Sequence, residues 1–286
     1  MNEAALKDRL KAIASEKGVR LNEIWKQLLL ERFLARLSHS VHHEKFIFKG
    51  GLLLAQHLAI GRETTDIDFL LNKIKSEAPA IEAAFREIVS AEPADGFEFT
   101  WEGIEELTQP HMEYPGYRVS LGAKFGKMKD RIQVDIGVGD QVAPVEDHFR
   151  LFEYKGKPIF EGEITLLAYP IVAVFSEKLE TVISKGPINS RMKDYHDIVL
   201  MIREPGLLDQ KALKVVIAAT FRHRGTALNL PIAFDKSGHA SLQRLWGNHL
   251  SGLGAFRKTL NLPETIENVL AEINAWLALH GIFKND

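Results

Sequence analysis

The chain has 286 residues, 45% hydrophobic and 26% charged, which suits one large folded domain or two smaller ones. Lys and Arg number 36 against 38 Asp and Glu, so a net charge of -2 supplies no general attraction for nucleic acid, and any such contact must use a local basic patch. The absence of cysteine excludes disulfides, thiolate metal sites and a cysteine nucleophile.

In chain order, residues 2–17 and 21–38 have helical periodicity. In the second, Ile24, Leu28, Phe33 and Leu37 share a broad apolar stripe, with Asn22 near its start. Charges run throughout the first eighteen residues, Met1 to Gly18, without the apolar segment of a signal peptide. The longest apolar run, Ile164 to Phe175, is interrupted by Pro170 and is too short for a bilayer span; the expectation is a soluble cytoplasmic protein. His42 and His43 come next, with no further ligands at metal spacing, and read as a surface turn.

Phe46 to Leu71, FIFKGGLLLAQHLAIGRETTDIDFLL, reads as a strand, a double glycine, an amphipathic helix starting near Leu52, a polar turn and a second strand. Strand alternation puts Asp66 and Asp68 on one face and turns Ile67 and Phe69 into a core. Two carboxylates that close repel, so the pair makes best sense with a cation between them; Mg2+ prefers such oxygens and shares its shell with substrate phosphates. Gly50 and Gly51, lacking a Cβ, would let a triphosphate approach the backbone at the helix N-terminus. A lone Asp-x-Asp also occurs at ordinary strand ends, and a lone Gly-Gly says less; the ordered combination is what points to chemistry.

This combination resembles the signature of the DNA polymerase β-type nucleotidyltransferase superfamily. More narrowly, Lys49-Gly50-Gly51 with Arg62, Thr65 and Asp66-Ile67-Asp68 resembles the AbiEii/AbiGii abortive-infection toxin family. The resemblance implies nucleotide contacts for Lys49, Gly50, Gly51, Arg62 and Thr65. The gap from Gly51 to Asp66 is slightly longer than is usual in the superfamily, which leaves the length of the intervening helix open.

Ser76 to Ser90 reads as a helix, followed by strands at Phe97–Trp101, Tyr117–Phe125 and Arg131–Val138 separated by turns rich in Gly, Pro and charge. In RIQVDIGVGD, Gln133, Asp135 and Gly137 share one face. Asp135 is either an ordinary polar strand residue or a third carboxylate near the attacking hydroxyl, and the family resemblance, VDIGVGD followed by Pro144, implies the latter. Gly137-Val138-Gly139 lacks the following helix and the full glycine fingerprint of a dinucleotide site.

Around Gly156 to Gly162 the pattern changes from strands to helices, which places a domain boundary near residue 160. Pro170 to Ser184 is a helix with apolar positions Val172, Phe175, Leu179 and Val182, leaving Glu177, Lys178 and Glu180 at polar or intermediate positions. Lys178 reads as a solvated charge, or, since SEKLE resembles the family's lysine motif, as a contact to the nucleotide phosphates. Arg191-Met192-Lys193-Asp194-Tyr195-His196-Asp197 reads as a helix N-terminus with early charges, with Arg191, Asp194 and Asp197 at one-turn spacing. It also resembles the family's final motif, R-x-K-D-x-x-D, which implies that Arg191, Lys193, Asp194 and Asp197 close the site. Asp209 to Phe283 looks helical; Arg222-His223-Arg224 and Arg244 could meet RNA, but read better as a solvated face beside a packed Trp246.

The expected architecture is α/β: a nucleotidyltransferase-fold domain with a mixed sheet over residues 1–160, then a mainly helical domain over 161–286 that closes an active-site cleft. The expected activity is Mg2+-dependent transfer of a nucleoside monophosphate from an NTP to an acceptor hydroxyl, with Asp66, Asp68 and Asp135 on the metal and Lys178 and Asp194 completing the catalytic set. The resemblance implies the toxin of a toxin–antitoxin pair with a cognate antitoxin protein, and an RNA acceptor such as the 3′ end of tRNA. Transfer to a protein, phosphotransfer and a non-catalytic nucleotide- or partner-binding role remain as alternatives.

Overall fold

A computed structural model describes residues 1–91, 94–107, 116–140 and 142–283. The turn expected before Tyr117 falls at 108–115, outside the described residues. The chain forms two compact units, Met1–Gln56 with Glu63–Tyr169, and His57–Arg62 with Pro170–Asp286.

The first unit opens with α1 (Glu3–Lys17), capped by the Asn2 side chain and closed by Gly18 in a left-handed conformation, and α2 (Leu21–His39). Arg20 occupies the N-cap of α2, without a side-chain cap bond, and Asn22 falls in its first turn. The stripe Ile24, Leu28, Phe33 and Leu37 is fully buried. Then come β1 (Phe46–Lys49), α3 (Gly50–His57), β2 (Asp66–Leu71) and α4 (Ala78–Ser90). The remaining strands are β3 (Glu98–Leu107), β4 (Gly116–Phe125), β5 (Met128–Gly137), β6 (Val145–Arg150), the small hairpin β7 (Glu153–Tyr154) and β8 (Lys157–Pro158), and β9 (Glu163–Ala168).

Seven strands form one mixed sheet in the order β3-β4-β5-β2-β1-β9-β6. The pairs β2/β5 and β1/β9 are parallel and the others antiparallel. Phe46, Phe48 and Phe69 lie on one face, where Phe46 and Phe33 of α2 both pack against Phe85 of α4. Burying that face under helices fixes the alternation and turns the even-spaced polar residues of β2 and β5 to the other side.

Four departures from the sequence reading have physical causes. Helix α3 starts at Gly50, not near Leu52, so the glycines themselves form its first turn. Strand β3 runs on to Leu107, past Trp101, because its outer half pairs with β4 beyond a bulge; this half is largely polar and lacks the apolar alternation that marks a strand in sequence. The composition change at Gly156–Gly162 precedes β9, which pairs with β1 and β6 in the same sheet, so the units divide at Tyr169. His42, read as part of a surface turn, is buried; its Nε2–H donates to Glu87 at 2.8 Å while Nδ1 accepts from Lys45 at 2.9 Å.

The second unit is helical: α5 (Ile171–Lys185), a 3₁₀ turn at Gly186–Ile188, α6 (Met192–Arg203), α7 (Gln210–His223), α8 (Lys236–Gly252), α9 (Phe256–Leu260) and α10 (Ile266–Leu279). Asp209, Asp235 and Thr265 cap the N-termini of α7, α8 and α10 with their side chains. Trp246 is fully buried and donates its indole N–H to the Pro263 carbonyl at 2.8 Å. Residues 57–62 belong to this unit: the Ile60 carbonyl accepts from His196 Nε2 at 2.8 Å, and a Cβ on Gly61 would lie 2.6 Å from Leu260 Cδ1. The long Gly51–Asp66 gap is thereby explained, since α3 ends at His57 and the rest is this connecting segment. Among the described residues no helix is long and apolar enough to cross a membrane.

Candidate active site

In the first unit the sheet register assembles a charged row. Lys49 on β1 pairs with Asp68 on β2, Asp68 with Asp135 on β5, and Asp135 with Arg118 on β4. Directly opposed residues share a face, so two carboxylates stand side by side with a cation at each end. Asp66, two residues before Asp68, lies on the same face and is half-buried. Among the described residues it makes no hydrogen bond or ion pair.

Gly50 shapes the centre. It has φ +78, and a Cβ there would lie 1.9 Å from Asp68 Oδ2 and 2.7 Å from Asp68 Cβ. The Asp68 carboxylate therefore rests against the glycine at the start of α3, in space that any side chain would take. Lys49 is half-buried beside it; its Nζ is 3.1 Å from Asp140 Oδ2 and 3.3 Å from the Tyr169 hydroxyl, above whose ring it sits. At the far end of the row Arg118 donates Nε–H and Nη2–H to the two oxygens of Asp135, each at 2.7 Å. That bidentate contact holds the Arg118 guanidinium even more firmly protonated than usual, with the Asp135 hydrogen bond as the largest cause and Glu105 and Asp66 contributing.

This donor set fits a hard divalent cation at Asp66 and Asp68: anionic oxygens on one face, one without a protein partner, beside backbone that only glycine leaves open. Asp135 fits less well, because both of its oxygens are engaged by Arg118. Among the described residues no three Asp, Glu or His side chains are gathered closely enough to form a protein-only metal cage. Mg2+ ordinarily takes one or two carboxylates and completes its shell with water and substrate phosphate, so two suffice.

The second unit holds a separate group of charges. Lys178 on α5 is buried, with its Nζ 3.0 Å from Asp194 and 2.8 Å from Asp197 on α6, both of them buried. Arg191 donates to the other Asp194 oxygen at 2.7 Å, and Arg62 grips Asp197 through Nε and Nη2 at 2.9 and 2.6 Å. Burial opposes both ionised partners. Even so, Asp197 and Asp194 raise the Lys178 pKa, and Lys178 with Arg62 holds the Asp197 carboxyl well below the usual carboxylate range. Behind this network His196 donates Nε2–H to Ile60 and accepts at Nδ1 from His249 at 2.8 Å, an arrangement that takes His196 as its neutral Nε2–H tautomer. Burial pushes His196 down to about 4.

Of the residues expected from sequence, the sheet brings Lys49, Gly50, Asp68 and Asp135 together with Asp66, while the helical unit brings Arg62, Lys178, Arg191, Asp194 and Asp197 together. Gly51 lies in the first turn of α3. Thr65 is exposed, its neighbour Thr64 being the buried one, and Lys193 is exposed. Lys178, at a polar or intermediate helical position by pattern, is buried, as is Glu180, which accepts from Arg224 and Thr226. Sequence reasoning missed Arg118, Asp140, Tyr169, His196 and His249. For Arg118 the signal is strand parity: it alternates correctly for the polar face of β4, but only the register reveals its partner.

A family model, Nucleotidyl transferase AbiEii toxin, Type IV TA system, matches residues 32–272. No curated protein matches. Among solved structures, JHP933 from Helicobacter pylori aligns with a TM-score of 0.44 and 12% identity over 91% of each chain. A second H. pylori structure, assigned to the nucleotidyltransferases, aligns with a TM-score of 0.44 and 13% identity over 92% of this chain and 96% of that one. With the family model spanning most of its length, from α2 into α10, the chain belongs to the AbiEii family of nucleotidyl transferase toxins of type IV toxin–antitoxin systems.

Proposed function

We propose that this nucleotidyltransferase uses Mg2+ to move a nucleoside monophosphate from an NTP to an acceptor hydroxyl of RNA, the 3′ end of a tRNA being the acceptor the family resemblance implies. It would act in the cytoplasm, restrained by a cognate antitoxin protein. The observation that carries the reading is the row of charges with Asp66 and Asp68 against the Gly50 turn, which joins a cation site to a phosphate-accepting helix start.

Asp66 and Asp68 would hold the cation, which when bound would polarise the α-phosphate and offset the charge that develops there. The backbone N–H groups of Gly50 and Gly51 hold the distal phosphates. Lys49, steadied by Asp140 and Tyr169, keeps a positive charge beside them. The acceptor oxygen bonds to the α-phosphorus, the bridge to the β-phosphate breaks, pyrophosphate leaves, and the hydroxyl proton passes to solvent or a neighbouring carboxylate. The family resemblance assigns Lys178, Asp194, Asp197, Arg62, Arg191 and Lys193 of the helical unit to the nucleotide as well, and the buried pairing of Lys178 supports a fixed ammonium over a mobile one.

The test is incubation of purified protein with labelled NTPs and separated cellular RNA and protein, alongside expression in cells of wild type and Asp66→Ala at equal level. Label should enter RNA, stop on chelation of Mg2+ and be absent with Asp66→Ala, which should also spare the cells. Label entering protein would replace the acceptor, and toxicity retained by a folded Asp66→Ala protein would remove catalysis from the account.

A further inference from the structure

Asp135 and Arg118 are unaccounted for by a two-carboxylate cation site. Arg118 is about one-third exposed, with side-chain exposure of 32%, and spends only Nε and Nη2 on Asp135. Its Nη1 donors have no partner among the described residues. Arginine held along one edge by a carboxylate presents its other edge in a fixed orientation, a common way to read an oxyanion.

The position of Arg118 says which oxyanion. The row runs Lys49, Asp68, Asp135, Arg118 across β1, β2, β5 and β4, so Arg118 lies three strands, about 14 Å at ordinary strand spacing, from the end of the row that carries the glycine turn. In an in-line transfer the leaving pyrophosphate and the attacking hydroxyl lie on opposite sides of the α-phosphorus. With the distal phosphates at Gly50 and Gly51, the Arg118 end faces the acceptor. Glu105, the register partner of Arg118 on β3, is exposed and makes no hydrogen bond to it, so solvent screens its opposition to an anion.

We propose that Arg118 binds a backbone phosphate of the nucleic-acid acceptor, and that Asp135 is its positioning residue, not a cation ligand. The assignment rests on the nucleotidyltransferase reading of the same face and adds a substrate contact to it. It differs from the expectation that Asp135 completes a metal-binding trio. The carboxylate thus acts through the guanidinium, and the cation rests on Asp66 and Asp68 with substrate and water.

The experiment compares wild type, Arg118→Gln, Arg118→Lys and Asp135→Asn, each first checked for an unchanged melting temperature, in three binding measurements. These are Mn2+ alone, inorganic triphosphate with Mn2+, and a short single-stranded oligoribonucleotide over a range of salt. Arg118→Gln should weaken oligoribonucleotide binding about tenfold and reduce the salt slope by about 0.7, the loss of one phosphate contact. Mn2+ and triphosphate affinities should stay within about twofold, since neither contacts Arg118. Asp135→Asn should reproduce the loss for RNA without losing Mn2+, and Arg118→Lys should recover the slope but not the full affinity, keeping charge without the fork. Loss of Mn2+ binding in Asp135→Asn would overturn the proposal by making Asp135 a ligand. A wild type that ignores RNA, or Arg118→Gln with unaltered affinity and slope, would overturn it equally. If triphosphate affinity alone falls, Arg118 reads the nucleotide and the acceptor assignment is lost. Failure of the parent reading looks different: no Asp66-dependent label transfer, whatever the Arg118 variants bind.

Discussion

At Gly50 one missing methyl group decides where the Asp68 carboxylate can rest. Asp68 occupies the volume a Cβ would need, and the backbone at φ +78 is one that other residues adopt only with strain. Gly50→Ala must push away Asp68 Cβ and Cγ as well as the mobile oxygen, since these would lie 2.7 and 2.5 Å from the new methyl. We expect a stability loss of about 1–3 kcal/mol and Mn2+ affinity reduced at least tenfold. Chemical denaturation and Mn2+ titration check it; unchanged Mn2+ binding would detach Asp68 from the cation. Asp66 stands differently, since its lack of a protein partner predicts that its removal harms binding more than folding.

Helices α5 and α6 show the same logic at the level of an element. Asp194 and Asp197, one turn apart on α6, turn their polar face inward because Lys178 of α5 meets both, and Arg191 and Arg62 take the remaining oxygens. A buried charge network of this kind adds little over an apolar core, but removing one member leaves a charge without compensation. Lys178→Met should therefore destabilise the protein by about 3 kcal/mol, read by urea unfolding, beyond any effect on transfer. Asp194→Asn in the Lys178→Met background should recover part of that loss. A Lys178→Met protein as stable as wild type would mean that the two aspartates are satisfied without the lysine.

Across the whole molecule, one buried group in each unit couples stability to pH, and the two couplings have opposite sense. In the helical unit, burial holds His196 neutral down to about 4, whereas unfolding returns it to an ordinary histidine. The unfolded chain thus binds more protons, and His196 withdraws up to about 3 kcal/mol as pH falls from about 6.5 towards 4. In the sheet unit, burial pushes Glu31 up to about 7 against the pull of Arg32. There the folded chain binds more protons, so the contribution is present at low pH and is lost, again up to about 3 kcal/mol, as pH rises from about 4.5 to 7. Hydrogen exchange, which reads the amides of each unit separately, should show α6 losing protection on acidification and α2 losing it towards neutral pH. His196→Gln and Glu31→Gln should flatten the two trends individually; parallel pH trends in wild type would contradict both assignments.

Much of this protein was written locally. Strand alternation placed Asp66 with Asp68, the double glycine marked the turn between β1 and α3, the stripes of α2 and α5 foretold their buried faces, and the run of motifs identified the family. Each rests on contacts within a few residues, which periodicity and conformational preference report directly. Sequence was silent where the answer depended on register or on distant partners. Arg118 and Asp135 are 17 residues apart, Lys49 and Asp140 91, and Arg62 and Asp197 135. Lys178 and Glu180 are buried only because Asp197 and Arg224 arrive from other helices to compensate them. A charge carries no local sign of its partner. Tertiary structure alone decided which carboxylate stands without one, and which is already held by an arginine.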